Sequence, residues 1–190
     1  MDRFTEEKLK NKKYRNNEEA IRRAVFLTKH KLSVKYLVKT AHISRATLYR
    51  HHQNINEIIP DYENYVLKRF QNIIHFAKKK DIKLNLVYER LLLFILAHRV
   101  IISCIFKHSN DSNLVEKMIE FLKPTIIATH TIKNDEVFKI YTKEVACIIQ
   151  SWQQDGFKKE EITVTLNKIL YLTQTAQIRL SPITSVQHRN

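Results

Sequence analysis

Ser33, Ser44, Arg45, Ala46, Thr47, Tyr49, Arg50 and His51 form the stretch of this 190-residue chain whose residue types and spacing could do chemistry. The chemistry is recognition of a polyanion. Ser44 stands where a short helix should begin, its hydroxyl placed to satisfy the free N–H groups of the first turn. Arg45, Ala46 and Thr47 follow on that turn, where side chains can reach base edges and an Arg can pair bidentately with guanine. Tyr49, Arg50 and His51 come next and suit phosphates, which fix register without reading sequence. Ser33 caps a preceding helix, and with Lys35 it can meet a phosphate at that helix's N-terminus.

These residues need a scaffold. The segment from Leu32 to Ile58 reads as two short helices joined by a tight turn, locked together by Leu37, Ala41, Ile43 and Leu48. That is the plan of a helix-turn-helix, with the second helix presented to DNA. Residues 41–52, Ala-His-Ile-Ser-Arg-Ala-Thr-Leu-Tyr-Arg-His-His, resemble the signature of the tetracycline-repressor (TetR) family of transcriptional regulators. The chain departs from that signature in three places. His42 replaces the turn glycine and must accept a left-handed backbone, which His does more readily than most residues. Val38 replaces a small residue facing the turn. His52 and Ile55 replace a core Phe and a phosphate-binding Lys.

Composition points the same way. One Gly (Gly156) and three Pro among 190 residues argue for long helices with short connections, hence an all-α fold, and exclude a glycine-rich phosphate loop. Net charge is +14, and residues 1–50 hold 14 Lys and Arg against 5 Asp and Glu. The excess therefore gathers on the reading head, as expected for a protein that displaces counterions from phosphates. Cys104 and Cys147, in apolar contexts, are expected to be reduced core residues, and the N-terminus has no apolar signal core. The expected setting is the cytoplasm, on the nucleoid. No constellation resembles a catalytic site, and neither cofactor nor metal is expected. His51 and His52 are expected to point apart on their helix.

Along the chain, residues 1–15 read as a charged arm. Asn16 and Glu19 can open a first helix running to about Lys29. A long helix follows from about Asn54, with Pro60 as a possible kink unless the regular helix starts there. KKKD, residues 78–81, marks a linker. Residues 84–107 read as one helix, apolar on nearly every side, and so as the centre of a body. Further helices are expected around 113–122, to about His130, from Asn134 to Gly156 and from Lys159 to Ile178, with a tail at 179–190. The domains expected are a DNA-binding head at 1–53 and a helical body at 54–178.

The TetR resemblance implies more about that body. It implies an effector pocket, for which Phe94, His98, Ile102, Met118, Phe121 and Tyr141 are the candidates. It implies a homodimer through the closing helices, at Tyr141, Val145, Ile148, Trp152, Leu166, Ile169, Leu170 and Thr173. The function expected is sequence-specific binding of a palindromic operator in double-stranded DNA, with repression relieved by a small lipophilic effector. Two rivals are a TetR-like DNA binder whose body recognises a protein, and a helical interaction protein with only loose polyanion binding.

Overall fold

The computed structural model describes residues 12–28, 31–79, 82–108, 113–128, 132 and 135–178, all helix, turn or connection. The arm up to Asn11, Lys29 and His30 at the expected end of the first helix, Lys80 and Asp81 of the linker, the loop at 109–112, residues 129–131, 133–134 and the tail at 179–190 lie outside the described residues. The helices are α1 (Lys12–Leu27), α2 (Val34–Thr40), α3 (Arg45–His51), α4 (Ile58–Lys79), α5 (Leu84–Ala97), α6 (Arg99–His108), α7 (Leu114–Glu120), α8 (Lys123–Ala128), α9 (Asp135–Gln154) and α10 (Ile162–Ile178). The chain is thus all-α, a helix-turn-helix head with a helical body. No single helix among the described residues is long and apolar enough to cross a membrane.

The chain forms two compact units, Met1–Val66 with His98–Ser112, and Leu67–Ala97 with Asn113–Asn190. In the first, α1 packs against α2, α3 and α6. Ile21, Ala24 and Val25 give α1 its buried face, at the three- and four-residue spacing of a helix. It starts at Lys12, four residues before the expected cap at Asn16, so residues 12–15 belong to a helix and not to an arm. Pro60 produces no break. It falls in the first turn of α4, where an N–H has no intrahelical partner to lose.

Residues 84–107 do not form one helix. The run breaks at His98, a turn residue, and the second part, α6, belongs to the head's unit. There Ile101, Ile102, Cys104 and Ile105 are buried. The end of α6 also closes the end of α1: Lys107 Nζ donates to the Phe26 carbonyl at 2.9 Å, and His108 Nε2 lies 3.1 Å from that of Val25. Donors over the last carbonyls of a helix satisfy its orphan acceptors, and a lysine there complements its dipole.

In the second unit α9 packs against α7 and α10, and α10 against α5. Its core carries one polar thread. Thr173 donates to the Ile169 carbonyl at 2.8 Å, so its oxygen must accept from Tyr141 at 3.1 Å, and Tyr141 in turn accepts from Tyr88 at 2.5 Å. Each hydroxyl has one proton to give, which fixes the direction of the whole chain. Burial pushes the phenols of Tyr88 and Tyr141 up, so both stay neutral. Gly156 closes α9 at φ 77° as expected, and Phe157, also left-handed at φ 54°, packs its ring edge-on against Trp152 at 5.1 Å.

Candidate nucleic-acid interface

Both short helices of the reading pair start as the sequence requires. Ser33 Oγ accepts from the Tyr36 amide at 3.3 Å, and Ser44 Oγ from the Thr47 amide at 3.0 Å. The Ser44 and Thr47 hydroxyls also lie 2.9 Å apart, so both side chains serve the cap of α3. Replacing Ser44 by Ala is expected to cost about 1 kcal/mol, readable as a lower urea midpoint. An unchanged midpoint would mean that this cap is idle.

Between the helices, His42 adopts φ 52°, the left-handed backbone that the lost glycine demanded. Leu37, Ala41 and Leu48 are buried around it, with Ile43 half-buried. A side chain in this region is held at a cost of about 1 kcal/mol or slightly more. His42→Gly is therefore expected to raise stability by about 0.5–1 kcal/mol after the entropy of an added glycine. A loss of stability in urea unfolding would show that the exposed His42 ring makes a contact worth more than the strain.

Lys35, Arg45, Ala46, Tyr49 and Arg50 are exposed, as are the capping residues Ser33 and Ser44, and Thr47 is half-buried. Tyr49 keeps 48% of its surface open, far more than a core tyrosine such as Tyr88. Tyr36, which sequence reasoning passed over, is also exposed on the first turns of α2. These residues give the reading pair a surface of cations, rings and hydroxyls beside capped helix N-termini.

His51 is different, and the phosphate role expected for it does not fit its place. Its side chain is 1% exposed. The ring stacks on Tyr14 with centroids 3.9 Å apart, and Nδ1 lies 2.9 Å from Glu18 Oε2. Nor do His51 and His52 point apart. His52 caps the C-terminus of α3 in an extended conformation, which swings its ring inward, so that Nε2 comes 3.5 Å from the same Glu18 oxygen. On its other side His52 Nδ1 lies 3.0 Å from Asp61 Oδ2. Arg22 Nε approaches the other Glu18 oxygen at 3.4 Å, its guanidinium beside the rings of Tyr62 and Tyr65. Glu18 is thus the hub of a cluster joining α1, the end of α3 and α4. The glutamate lies 33 residues from His51, and only its i,i+4 spacing to Arg22 was visible beforehand.

The electrostatics follow from this crowding. Burial pushes the Glu18 carboxyl up, but the hydrogen bond from His51, the close approach of His52 and the charges of His52 and Arg22 outweigh it and hold Glu18 well below the usual carboxylate range. Burial likewise works against a charged His52, yet the close Glu18 carboxylate and the hydrogen-bonded Asp61 carboxylate prevail and raise its pKa. Linkage then fixes the signs. The His52 contribution to stability is complete below its ordinary 6.5 and is lost as pH rises through the raised value. That of Glu18 is complete above its ordinary 4.5 and is lost only as pH falls through the lowered one. The head is therefore most stable in a weakly acidic window.

The remaining expected site residues fall in both units. His98 and Ile102 lie in the head's unit, whereas Phe94, Met118, Phe121 and Tyr141 lie in the other. His98 occupies the turn before α6, half-buried, its ring edge-on to Tyr65 at 6.0 Å. Cys104 is buried, with a thiol pushed up to about 12 by burial, but Cys147 is exposed and not a core residue. Among the expected dimer contacts, Tyr141, Val145, Trp152, Ile169 and Thr173 are buried within the single chain. The Trp152 indole is spent on the turn after α9, donating to the Lys158 carbonyl at 2.8 Å. The stripe read as an interface is core, and only Ile148, Leu166 and Leu170 keep partial exposure.

Two capped short helices, a left-handed turn and an exposed second helix define a DNA-binding helix-turn-helix. The comparison with protein families agrees: the Mga helix-turn-helix domain matches residues 20–85, from α1 into the start of α5. This supports a helix-turn-helix DNA-binding regulator without singling out the tetracycline-repressor family. Neither a curated protein nor a solved structure matches the chain.

Proposed function

We propose that the protein is a sequence-specific transcriptional regulator that binds a palindromic operator as a homodimer and acts as a repressor. The observation that carries this reading is α3 itself, with Arg45, Tyr49 and Arg50 exposed on a helix whose ends are fixed by Ser44 and His52. A single helix of seven residues reaches few base pairs, so useful affinity calls for two heads on one DNA. Two-fold symmetry of the protein then makes the site palindromic. Repression is the simplest outcome of occupying promoter DNA. The resemblance of residues 41–52 to the TetR signature supports the same organisation.

For release we favour a protein contact over a lipophilic effector. Met118 and Tyr141 are packed in the core, and the Tyr141 hydroxyl is fully engaged. The body instead exposes apolar side chains, Leu86, Leu93, Ile140, Val164 and Tyr171. We infer no catalytic role, since the carboxylate–imidazole cluster lies between helices and serves to hold them. Such a regulator works in the cytoplasm, on the nucleoid.

The test is selection of bound duplexes from a random DNA library at physiological salt with excess competitor. Half-sites about one helical turn apart, or a multiple of it, are expected. Salt-sensitive retention without a consensus would leave only loose polyanion binding.

A further inference from the structure

We propose that His52 is a positioning residue for DNA recognition, its imidazolium clamped between Glu18 of α1 and Asp61 of α4, so that losing one proton unseats the reading helix. The inference rests on the DNA-binding reading above and goes beyond it. Geometry makes the argument. The ring presents Nδ1 to Asp61 at 3.0 Å, within hydrogen-bond geometry, and Nε2 to Glu18 at 3.5 Å, an ion-pair distance at which the buried Nε2 makes no hydrogen bond. A neutral imidazole has one N–H and one lone pair, so it can satisfy only one of these carboxylates and must point its lone pair at the other. Only the doubly protonated ring suits both sides.

Charged and titratable groups face the cluster from every helix packed against it. From α1 the cluster receives Glu18, Arg22 and the Tyr14 ring, which stacks on His51. From α3 it receives His51, whose Nδ1 already occupies the Glu18 oxygen nearest His52. From α4 it receives Asp61 and Tyr62, the latter edge-on to His52 with centroids 5.7 Å apart and its hydroxyl buried without a hydrogen bond. From α6 it receives the Cys104 thiol, neutral because burial pushes it to about 12. Burial drives the Tyr62 phenol well above its ordinary range. Because His52 is also the C-cap of α3, its amide donating to the Leu48 carbonyl at 2.9 Å, a shift of its ring is transmitted directly to the helix that carries Arg45 and Tyr49.

The test uses the full chain, the duplex recovered by selection and a scrambled duplex of equal length, at constant ionic strength. Between about pH 6 and about pH 9, affinity for the selected duplex should fall about tenfold per unit difference in the ring's pKa between seated and unseated helix. The scrambled duplex should show no matching loss, and His52→Gln should flatten the profile. Should that variant fail to fold, nitrogen-15 NMR of the wild-type histidines gives an independent reading. Both ring nitrogens of His52 should remain protonated past neutral pH. A selected duplex bound equally at both ends of the range overturns the positioning role alone. So does an unchanged pH slope in His52→Gln, or a neutral His52 ring at weakly acidic pH. Failure to select any duplex overturns the DNA-binding reading itself.

Discussion

Glu18→Ala is expected to destabilise the head by about 3 kcal/mol, more than any other single truncation on the reading unit's polar surface. The carboxylate is 13% exposed and faces His51, His52 and Arg22 at once. Its removal leaves the 1%-exposed His51 without its acceptor and the His52 ring with one carboxylate in place of two. Buried groups deprived of partners cost more than the pairs were worth, because water cannot replace what was lost. Glu18→Gln keeps the shape and an acceptor oxygen, and should cost visibly less. Urea unfolding of both variants checks this. A loss below about 1 kcal/mol in the alanine variant would mean that the cluster behaves as an exposed ion pair and holds nothing together.

Arg45→Ala combined with Tyr49→Ala should abolish discrimination between the selected operator and scrambled DNA while leaving the fold intact. Both side chains are exposed, so their removal disturbs little packing. A bidentate Arg–guanine pair is worth about 1–3 kcal/mol of discrimination, and a symmetric dimer loses it twice. Affinity for the operator should therefore drop by about two orders of magnitude or more, whereas binding to scrambled DNA changes only by the lost phosphate contacts. A double variant that still prefers the operator would place sequence reading on another element.

How much of this was legible beforehand depended on distance along the chain. The caps at Ser33 and Ser44, the left-handed turn at His42 and the closure at Gly156 are local, and each follows from residues within four positions of one another. The harmless Pro60 was legible as one of two alternatives. The polar pair His98-Arg99 interrupts the apolar run from Leu84 to Lys107, but no Gly or Pro there marks the end of a helix. Apolarity also cannot name its partner: Ile101, Ile102 and Ile105 could have served a body as well as the head they join. The stripe from Tyr141 to Trp152 misled for the same reason, because a helix buried in its own chain and one buried in a dimer show the same period. His51 looked like an outward donor because the carboxylate that turns it inward, and that His52 also meets, is supplied from the first helix.

The central claim is that α3 reads DNA sequence. Its most direct test is the ratio of dissociation constants of the full chain for the selected duplex and for a scrambled duplex, measured at one fixed, physiological salt concentration. The selected duplex should bind at least about a thousandfold more tightly, as specific regulators do. A ratio near one, with affinity for both duplexes falling steeply as salt is raised, would contradict it and leave a basic helical protein that holds DNA without reading it.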